Sequence, residues 1–337
     1  MGLSPSGQSA ESRGRPRANN EDTRMQIAVL KTDGFELREE RVPQPTDSQV
    51  LVRTVGCGVC GGDLHVYSVR DRLGSDESLL GHEASGVIVE VGRDVRGFAV
   101  GDRVTAIGGA YADFFVAEPN VLLKLPDGID PTFALGEPLA CCVHASERFG
   151  TRQGDRVAVV GCGFMGLTCL QLAKLQGASE IVAIDPVPYR REMALALGAD
   201  RAVHPEDAEV DDPNTGAFEI VIEAAGVPAS IDLCTNLVTQ HGKITLVGYH
   251  ESNEGLRTVN LQLWNFKAID VINGHVRRHD EKMQAMAKAV ELLANGQLVT
   301  EPLVKLYELR NVDQAFADFA ANQEGLFKAV LIPSADG

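Results

Sequence analysis

Two rhythms of apolar residues divide this chain of 337 residues. Between residues 25 and 125, short apolar runs are broken by Gly, Pro and Asp. Those at 26–30, 49–53, 86–91, 101–105 and 114–116 read as strands. Closely spaced short strands with turn residues between them predict a small barrel-like β domain. Residues 131–149 are Ala-rich, end at Gly150 and predict a helix. From Gly154 the rhythm changes. Bare apolar strands at 156–160, 180–184, 219–222, 243–247 and 269–272 alternate with helical stretches at 167–176, 189–197 and 231–238. Apolar strands separated by helices predict a parallel, doubly wound sheet covered on both faces. Residues 281–293 follow as an amphipathic helix, and 330–332 read as a strand that returns to the first domain. The predicted class is α/β, a β-rich domain plus a doubly wound one, since this length usually exceeds a single core.

Composition narrows the partners. The formal net charge of −16 argues against a nucleic-acid or anionic-membrane surface, and no apolar run is long enough to span a bilayer. The seven cysteines are odd in number and show no framework spacing, which predicts free thiols in a reducing cytoplasm. Residues 1–24 are polar and lack the apolar core of a secretory signal. They are expected to be a disordered tail, with Met25 a candidate natural start.

Two stretches carry chemistry. Gly161-Cys162-Gly163-Phe164-Met165-Gly166 directly follows an apolar strand and opens a helix. In that context the first Gly makes the turn, the second lets the backbone approach a pyrophosphate, and the third lets helix and strand pack closely. Asp185 ends the next strand, where a carboxylate accepts from the ribose hydroxyls of NAD and repels the extra phosphate of NADP. Arg190, close behind, softens that preference. NAD(H) is the expected dinucleotide, ahead of NADP(H).

The second stretch is Cys57-Gly58-Val59-Cys60-Gly61-Gly62-Asp63-Leu64-His65, followed by Gly81-His82-Glu83. Thiolate, imidazole and carboxylate are the donors Zn²⁺ prefers, and a catalytic zinc takes three of them and keeps one position open. Cys60 and His82 are the expected ligands, and Asp63 is placed to orient an imidazole. The third ligand is left between Glu83 and Glu137. Cys57 reads as a buried structural thiol.

With both stretches in hand, the chain resembles the zinc-dependent medium-chain alcohol dehydrogenases, specifically their polyol (sorbitol dehydrogenase-like) branch. Cys-Gly-Val-Cys-Gly-Gly-Asp-Leu-His, Gly-His-Glu, Gly-Asp-Arg-Val, Glu-Pro-Leu-Ala and the Gly-rich turn occur in the family's order over residues 25–333. The resemblance implies a GroES-like catalytic domain over 25–142 and 279–337, split by a Rossmann NAD-binding domain over 143–278. It implies that Cys60 and His82 hold the zinc, that Glu137 occupies the third-ligand position, that Glu83 lies beside the metal or ligates it directly, and that His65 ends a proton relay. It further implies that Lys328 contacts the pyrophosphate and that the Val247 backbone meets the nicotinamide. The implied reaction passes hydride between NAD(H) and a secondary alcohol or ketone, with a polyol, sugar or cyclitol as substrate. A homodimer or homotetramer is implied as well.

Two departures stand out. Gly101-Asp102-Arg103-Val104 runs on without the four-cysteine lobe common in the family, so one zinc per chain is expected and no structural zinc. Gly62 occupies the position where the family has a Ser or Thr that takes the alcohol proton. Tyr67, Trp264 and residues 273–278, with His275, Arg277 and Arg278, are candidate substrate contacts. A metal-free quinone or enone reductase is the nearest alternative, but those members lack the Cys60, His82 and Glu83 set. A non-catalytic NAD-binding protein is the other, and Gly62 is the one feature in its favour.

Overall fold

The computed structural model describes residues 23–72, 77–208 and 210–334. The tail expected over 1–24 falls outside these residues except at its end, where Arg24 already belongs to the first strand. The β-rich part consists of β1 (Arg24–Lys31), β2 (Gly34–Arg41), β3 (Val50–Gly58), β4 (Glu77–Leu79), β5 (Glu83–Val91), β6 (Arg103–Ala106), β7 (Phe114–Ala117) and β8 (Leu122–Lys124), with helix α1 (Gly61–Ser68) after β3. Helix α2 (Gly136–Phe149) leads out of it and ends on Gly150, whose left-handed φ of 54° suits a residue without Cβ.

Next come β9 (Arg156–Val160), α3 (Phe164–Gln176), β10 (Glu180–Ile184), α4 (Pro188–Ala196), β11 (Arg201–Val203), β12 (Phe218–Glu223), α5 (Pro228–Leu237), β13 (Val238–Leu246), α6 (Leu261–Lys267) and β14 (Asp270–Asn273). The strands form one sheet in the order β11-β10-β9-β12-β13-β14, parallel throughout. This is the doubly wound order whose ligand crevice opens where the order reverses, beyond the carboxyl ends of β9 and β12. Four of the five residues of β9 are buried, as a strand covered on both faces requires.

The chain closes with α7 (His279–Ala294), β15 (Val304–Glu308), α8 (Val312–Ala320) and β16 (Lys328–Ile332). The last strand inserts into the first domain's sheet, ordered β15-β16-β3-β5-β6-β8, with β7 also on β3. Val330 and Leu331 pair antiparallel with Gly58 and Cys57, which brings Lys328 beside the Cys60 stretch. Helices α2 and α7 pack tightly, for a Cβ on Gly136 would lie 2.7 Å from Met286 Sδ.

Several elements differ from the sequence reading, and β2, β4, β8, β11, β15 and α6 carry no counterpart in it. α1 is a helix where only a motif was seen, because Gly61 and Gly62 at its start carry low helix propensity. α8 was not anticipated at all. β13 begins at Val238 rather than 243, running straight off the end of α5. No helix among the described residues is long and apolar enough to cross a membrane.

Candidate metal and cofactor site

The metal cluster is assembled by one strand pairing and one turn. β3 and β5 pair antiparallel, setting Glu83 opposite Gly58. A Cβ on Gly58 would lie 2.1 Å from Glu83 Oε2, so this position must be glycine for the carboxylate to fold inward. Two residues on, Cys60 is the extended residue preceding α1. His82 leads into β5 from Gly81, whose φ of 100° disfavours any side chain. One donor atom each from Cys60, His82 and Glu83 lies within 4.8 Å of the others. A sulfur, an imidazole nitrogen and a carboxylate oxygen in one pocket fit a zinc ion with an open fourth position.

Asp63 orients this set. Its Oδ1 lies 3.4 Å from His82 Nδ1, and its Oδ2 accepts from Tyr111 Oη at 2.6 Å. Tyr111 and Asp63 are both buried, so the pair is held rigidly. With Nδ1–H turned to a carboxylate, His82 presents Nε2 to the cluster, the usual arrangement for a ligating imidazole. In the metal-free protein, Asp63 first and the Cys60 sulfur second push the His82 pKa up to about 11. The pocket therefore favours positive charge where a cation would lie. Cys57 is buried, and burial raises its pKa well out of the reactive range, in line with a structural thiol.

Each candidate carboxylate has a lysine partner. Lys328 Nζ donates to Glu83 Oε1 at 3.0 Å and Oε2 at 2.9 Å, and to the Val59 carbonyl at 3.1 Å. Both side chains are almost fully buried. Burial works to lower the Lys328 pKa, but Glu83 and Cys60 outweigh it and the net shift is upward. For Glu83, burial raises the pKa against the pull of Lys328. Lys328 was expected at the pyrophosphate. Its ammonium lies on Glu83, because β16 pairs with β3, and it also sits 5.1 Å from the centre of the Phe164 ring in the glycine turn. Glu137, the other candidate ligand, accepts from Lys282 Nζ at 2.6 Å and is not one of the three clustered donors.

The dinucleotide crevice lies at the end of β9. Gly161 has φ of 97°, and a Cβ there would come 2.6 Å from the Ala225 nitrogen. A Cβ on Gly166 would lie 1.9 Å from the Gly161 carbonyl. These two glycines let α3 and the end of β12 close on the turn. Gly163 differs, since nothing lies within 4 Å of its missing Cβ. Its bareness serves the crevice, where a backbone cradle can meet a ligand. A cavity of about 540 Å³ opens there, lined by Gly161, Gly163, Asp185, Arg190 and Ser230 among others. Phe164 is buried, and half-buried Met165 packs against Cys142 Sγ at 3.6 Å, and neither residue lines the cavity. Asp185 accepts from Cys162 N and Val187 N, each at 2.8 Å. Arg190 lies 4.0 Å from Asp185 and donates to Asn322 Oδ1 at 2.8 Å, while its buried Nε has no hydrogen-bond partner among the described residues. Val247 is buried, with its N–H on the Glu223 carbonyl at 2.7 Å.

His65 is exposed at the end of α1, with Nδ1 3.1 Å from Glu251 Oε2, which lies on the loop after β13. That contact spans the two parts of the chain. The loop is tied by Glu223, which pairs with His250 Nε2 at 2.9 Å, and by Arg257 Nε, which donates to His250 Nδ1 at 3.0 Å. Gly62 has room to spare, for a Cβ would meet only Cys60 Sγ, at 3.9 Å. Its missing hydroxyl is not a steric necessity. Tyr67 stacks on Phe35 and packs on Phe316, and Trp264 Nε1 donates to Thr235 Oγ1 at 2.9 Å; both serve packing. Arg278 pairs with Asp280 and Glu281 at the start of α7. His275 reaches back to the Gly248 carbonyl at 3.4 Å, and Arg277 is exposed. Sequence reasoning missed Lys282, Tyr111 and Glu251, none of which lies in a recognisable motif.

Comparison with known proteins agrees with this geometry. Residues 46–127 match the alcohol dehydrogenase GroES-like domain, and residues 165–294 match the zinc-binding dehydrogenase family. The chain is 28% identical to an L-threonine 3-dehydrogenase of Pyrococcus abyssi over 89% of this chain and 97% of that one. It is 27% identical to a 2-dehydro-3-deoxy-L-galactonate 5-dehydrogenase of Pseudoalteromonas atlantica, covering 87% and 94%. In fold it is similar to a zinc-binding dehydrogenase from Sinorhizobium meliloti bound to NADP, with a TM-score of 0.82, 24% identity and coverage of 93% and 100%. Two family models in sequence order, with a thiolate–imidazole–carboxylate cluster in the first and a glycine turn heading the second, place this chain among the zinc-type medium-chain dehydrogenases.

Proposed function

We propose that this chain is an NAD-dependent dehydrogenase of a polyol, sugar or cyclitol, with one catalytic zinc held by Cys60, His82 and Glu83. The observation that carries the reading is the position of Lys328, which binds Glu83 on one side and covers the ring of Phe164 in the glycine turn on the other. Metal cluster and dinucleotide crevice are thus one side chain apart. When bound, the zinc supplies Lewis acidity toward an alcohol or carbonyl oxygen, and the nicotinamide supplies the hydride site.

The chain's own residues do the rest. Asp63 fixes the ring of His82, and Tyr111 fixes Asp63. Gly161, Gly163 and the amino end of α3 receive the pyrophosphate, while Asp185 accepts from the adenosine ribose. His65, with Nδ1 on Glu251, presents Nε2 to water or to a substrate hydroxyl. It is the outlet for the alcohol proton in a chain whose Gly62 has no hydroxyl to start a relay. A vicinal hydroxyl on the substrate fills that gap, which favours polyhydroxy compounds. The two named relatives act, by their names, on hydroxyl-bearing acids, which supports an alcohol rather than an enone as substrate.

The test is turnover of a panel of polyols, aminocyclitols and keto sugars followed by NADH absorbance, with and without a chelator. Chelator-sensitive oxidation of at least one polyhydroxy compound is expected. Activity untouched by metal removal would sink the zinc reading, and cofactor binding without turnover across the panel would sink the enzyme reading. For the dinucleotide, Asp185→Asn is expected to raise KM for NAD about tenfold, roughly one hydrogen-bonded interaction, and to narrow the gap to NADP. A wild-type enzyme that prefers NADP would overturn the assignment.

A further inference from the structure

Glu137 is a carboxylate held back from a metal site. It lies in the first turn of α2 and is 9% exposed. The chain that carries it passes the metal cluster, since the missing Cβ of Gly58 would touch both Glu83 Oε2 and Leu135 Cδ1, and Leu135 is the residue preceding α2. Glu137 nevertheless stands apart from the three grouped donors. Lys282, in the first turn of α7, is what holds it, donating to Glu137 Oε1 at 2.6 Å. Cys141 Sγ lies 3.7 Å from the same oxygen. The two helices are held together by the close approach of Gly136 to Met286, which fixes the backbone that carries the lysine beside Glu137. Both side chains are largely buried, at 18% and 11% exposed. A carboxylate stripped of its partner here would turn to the nearest cationic centre.

We propose that Lys282 is a positioning residue that keeps Glu137 off the zinc, so that the fourth coordination position stays open to substrate. The proposal rests on the metal reading above. Four protein ligands make a closed, structural-type site, whereas three leave a catalytic one. The lysine thus selects between two ligand sets that the chain carries within reach of each other.

The test loads the full chain with Co²⁺ in place of zinc. It compares wild type, Lys282→Met, Lys282→Arg and the double variant Lys282→Met/Glu137→Gln. Affinity is read by competition with a chelator, the ligand set by the visible absorption of Co²⁺, and access of solvent by water proton relaxation. Lys282→Met is expected to bind Co²⁺ about tenfold more tightly, to change the visible spectrum and to lose the relaxation enhancement, with kcat falling more than KM rises. Lys282→Arg restores the wild-type spectrum, and the double variant returns to wild-type affinity because the incoming ligand is gone. A salt bridge that merely supports the fold would lower the melting temperature and leave affinity and spectrum unchanged; that result overturns the proposal, as does weaker binding in Lys282→Met. If Lys282→Met does not fold, the double variant, lacking the orphaned charge, carries the comparison against Glu137→Gln alone, and any difference in spectrum between those two overturns the idea. A wild-type chain that takes up no Co²⁺ removes the metal reading and this proposal together, whereas uptake with an unmoved variant removes this one alone.

Discussion

A Cys60→Ala variant is expected to lose its metal and about four orders of magnitude of kcat/KM. The cluster offers three protein donors, and removing the thiolate leaves an imidazole and a carboxylate that is already doubly bonded by Lys328. Two donors, one of them shared, do not retain zinc against buffer. Loss of the Lewis acid removes several kcal/mol of transition-state stabilisation, and about 5.5 kcal/mol corresponds to ten-thousandfold. The fold is expected to survive. Cys60 is only partly buried and makes no side-chain cap on α1, so truncation there costs little. Cys57→Ala is the informative control. That thiol is 1% exposed, its loss opens a small cavity, and the variant should be less stable by about 1 kcal/mol while keeping a full equivalent of metal. Metal content by elemental analysis and steady-state kinetics separate the two. Retention of one zinc per chain by Cys60→Ala would remove the thiolate from the ligand set.

The contrast between the two cysteines shows what could be read from the chain and what could not. Residues whose placement follows from neighbours in sequence were legible. The glycine turn, Asp185 at the next strand end, and Cys60, Asp63 and His82 around one strand pairing all declare themselves by spacing. The choice between Glu83 and Glu137 could not be made that way. It depends on the β3–β5 register, which puts Glu83 opposite Gly58, and on a lysine 145 residues away that takes up Glu137. Lys328 illustrates the same limit. Its likeness to a phosphate-binding residue was visible, but its partner was not, because only the antiparallel pairing of β16 with β3 brings it against Glu83. The helix α1 was hidden for a local reason, two glycines at its start, which tertiary packing overrides. The contact between His65 and Glu251 joins segments with no common pattern, and nothing in either stretch points to the other.

The pair formed by Glu83 and Lys328 yields the second large expected effect. In metal-free protein, Lys328→Met is expected to destabilise the fold by about 3–5 kcal/mol, the range found when one partner of a buried ion pair is removed. The reason is the charge left behind. Glu83 is 1% exposed, and Lys328 supplies both of its carboxylate oxygens with a donor. Without the ammonium the carboxylate must either lie uncompensated or take a proton. The double variant Glu83→Gln/Lys328→Met removes both charges and is expected to be more stable than Lys328→Met alone, since a neutral buried pair carries no Born penalty. Zinc adds a further sign to the comparison. In the wild type a cation must share Glu83 with an ammonium, whereas in Lys328→Met it meets an unpaired carboxylate. Added zinc should therefore raise the unfolding midpoint of Lys328→Met by more than it raises that of the wild type, through binding to the folded state alone. Denaturant unfolding of the three proteins, with and without metal, makes these comparisons. Equal stability of Lys328→Met and wild type in the absence of metal would mean that Glu83 is folded away as the neutral acid, and the electrostatic account of this site would have to be rebuilt around a proton rather than an ion pair.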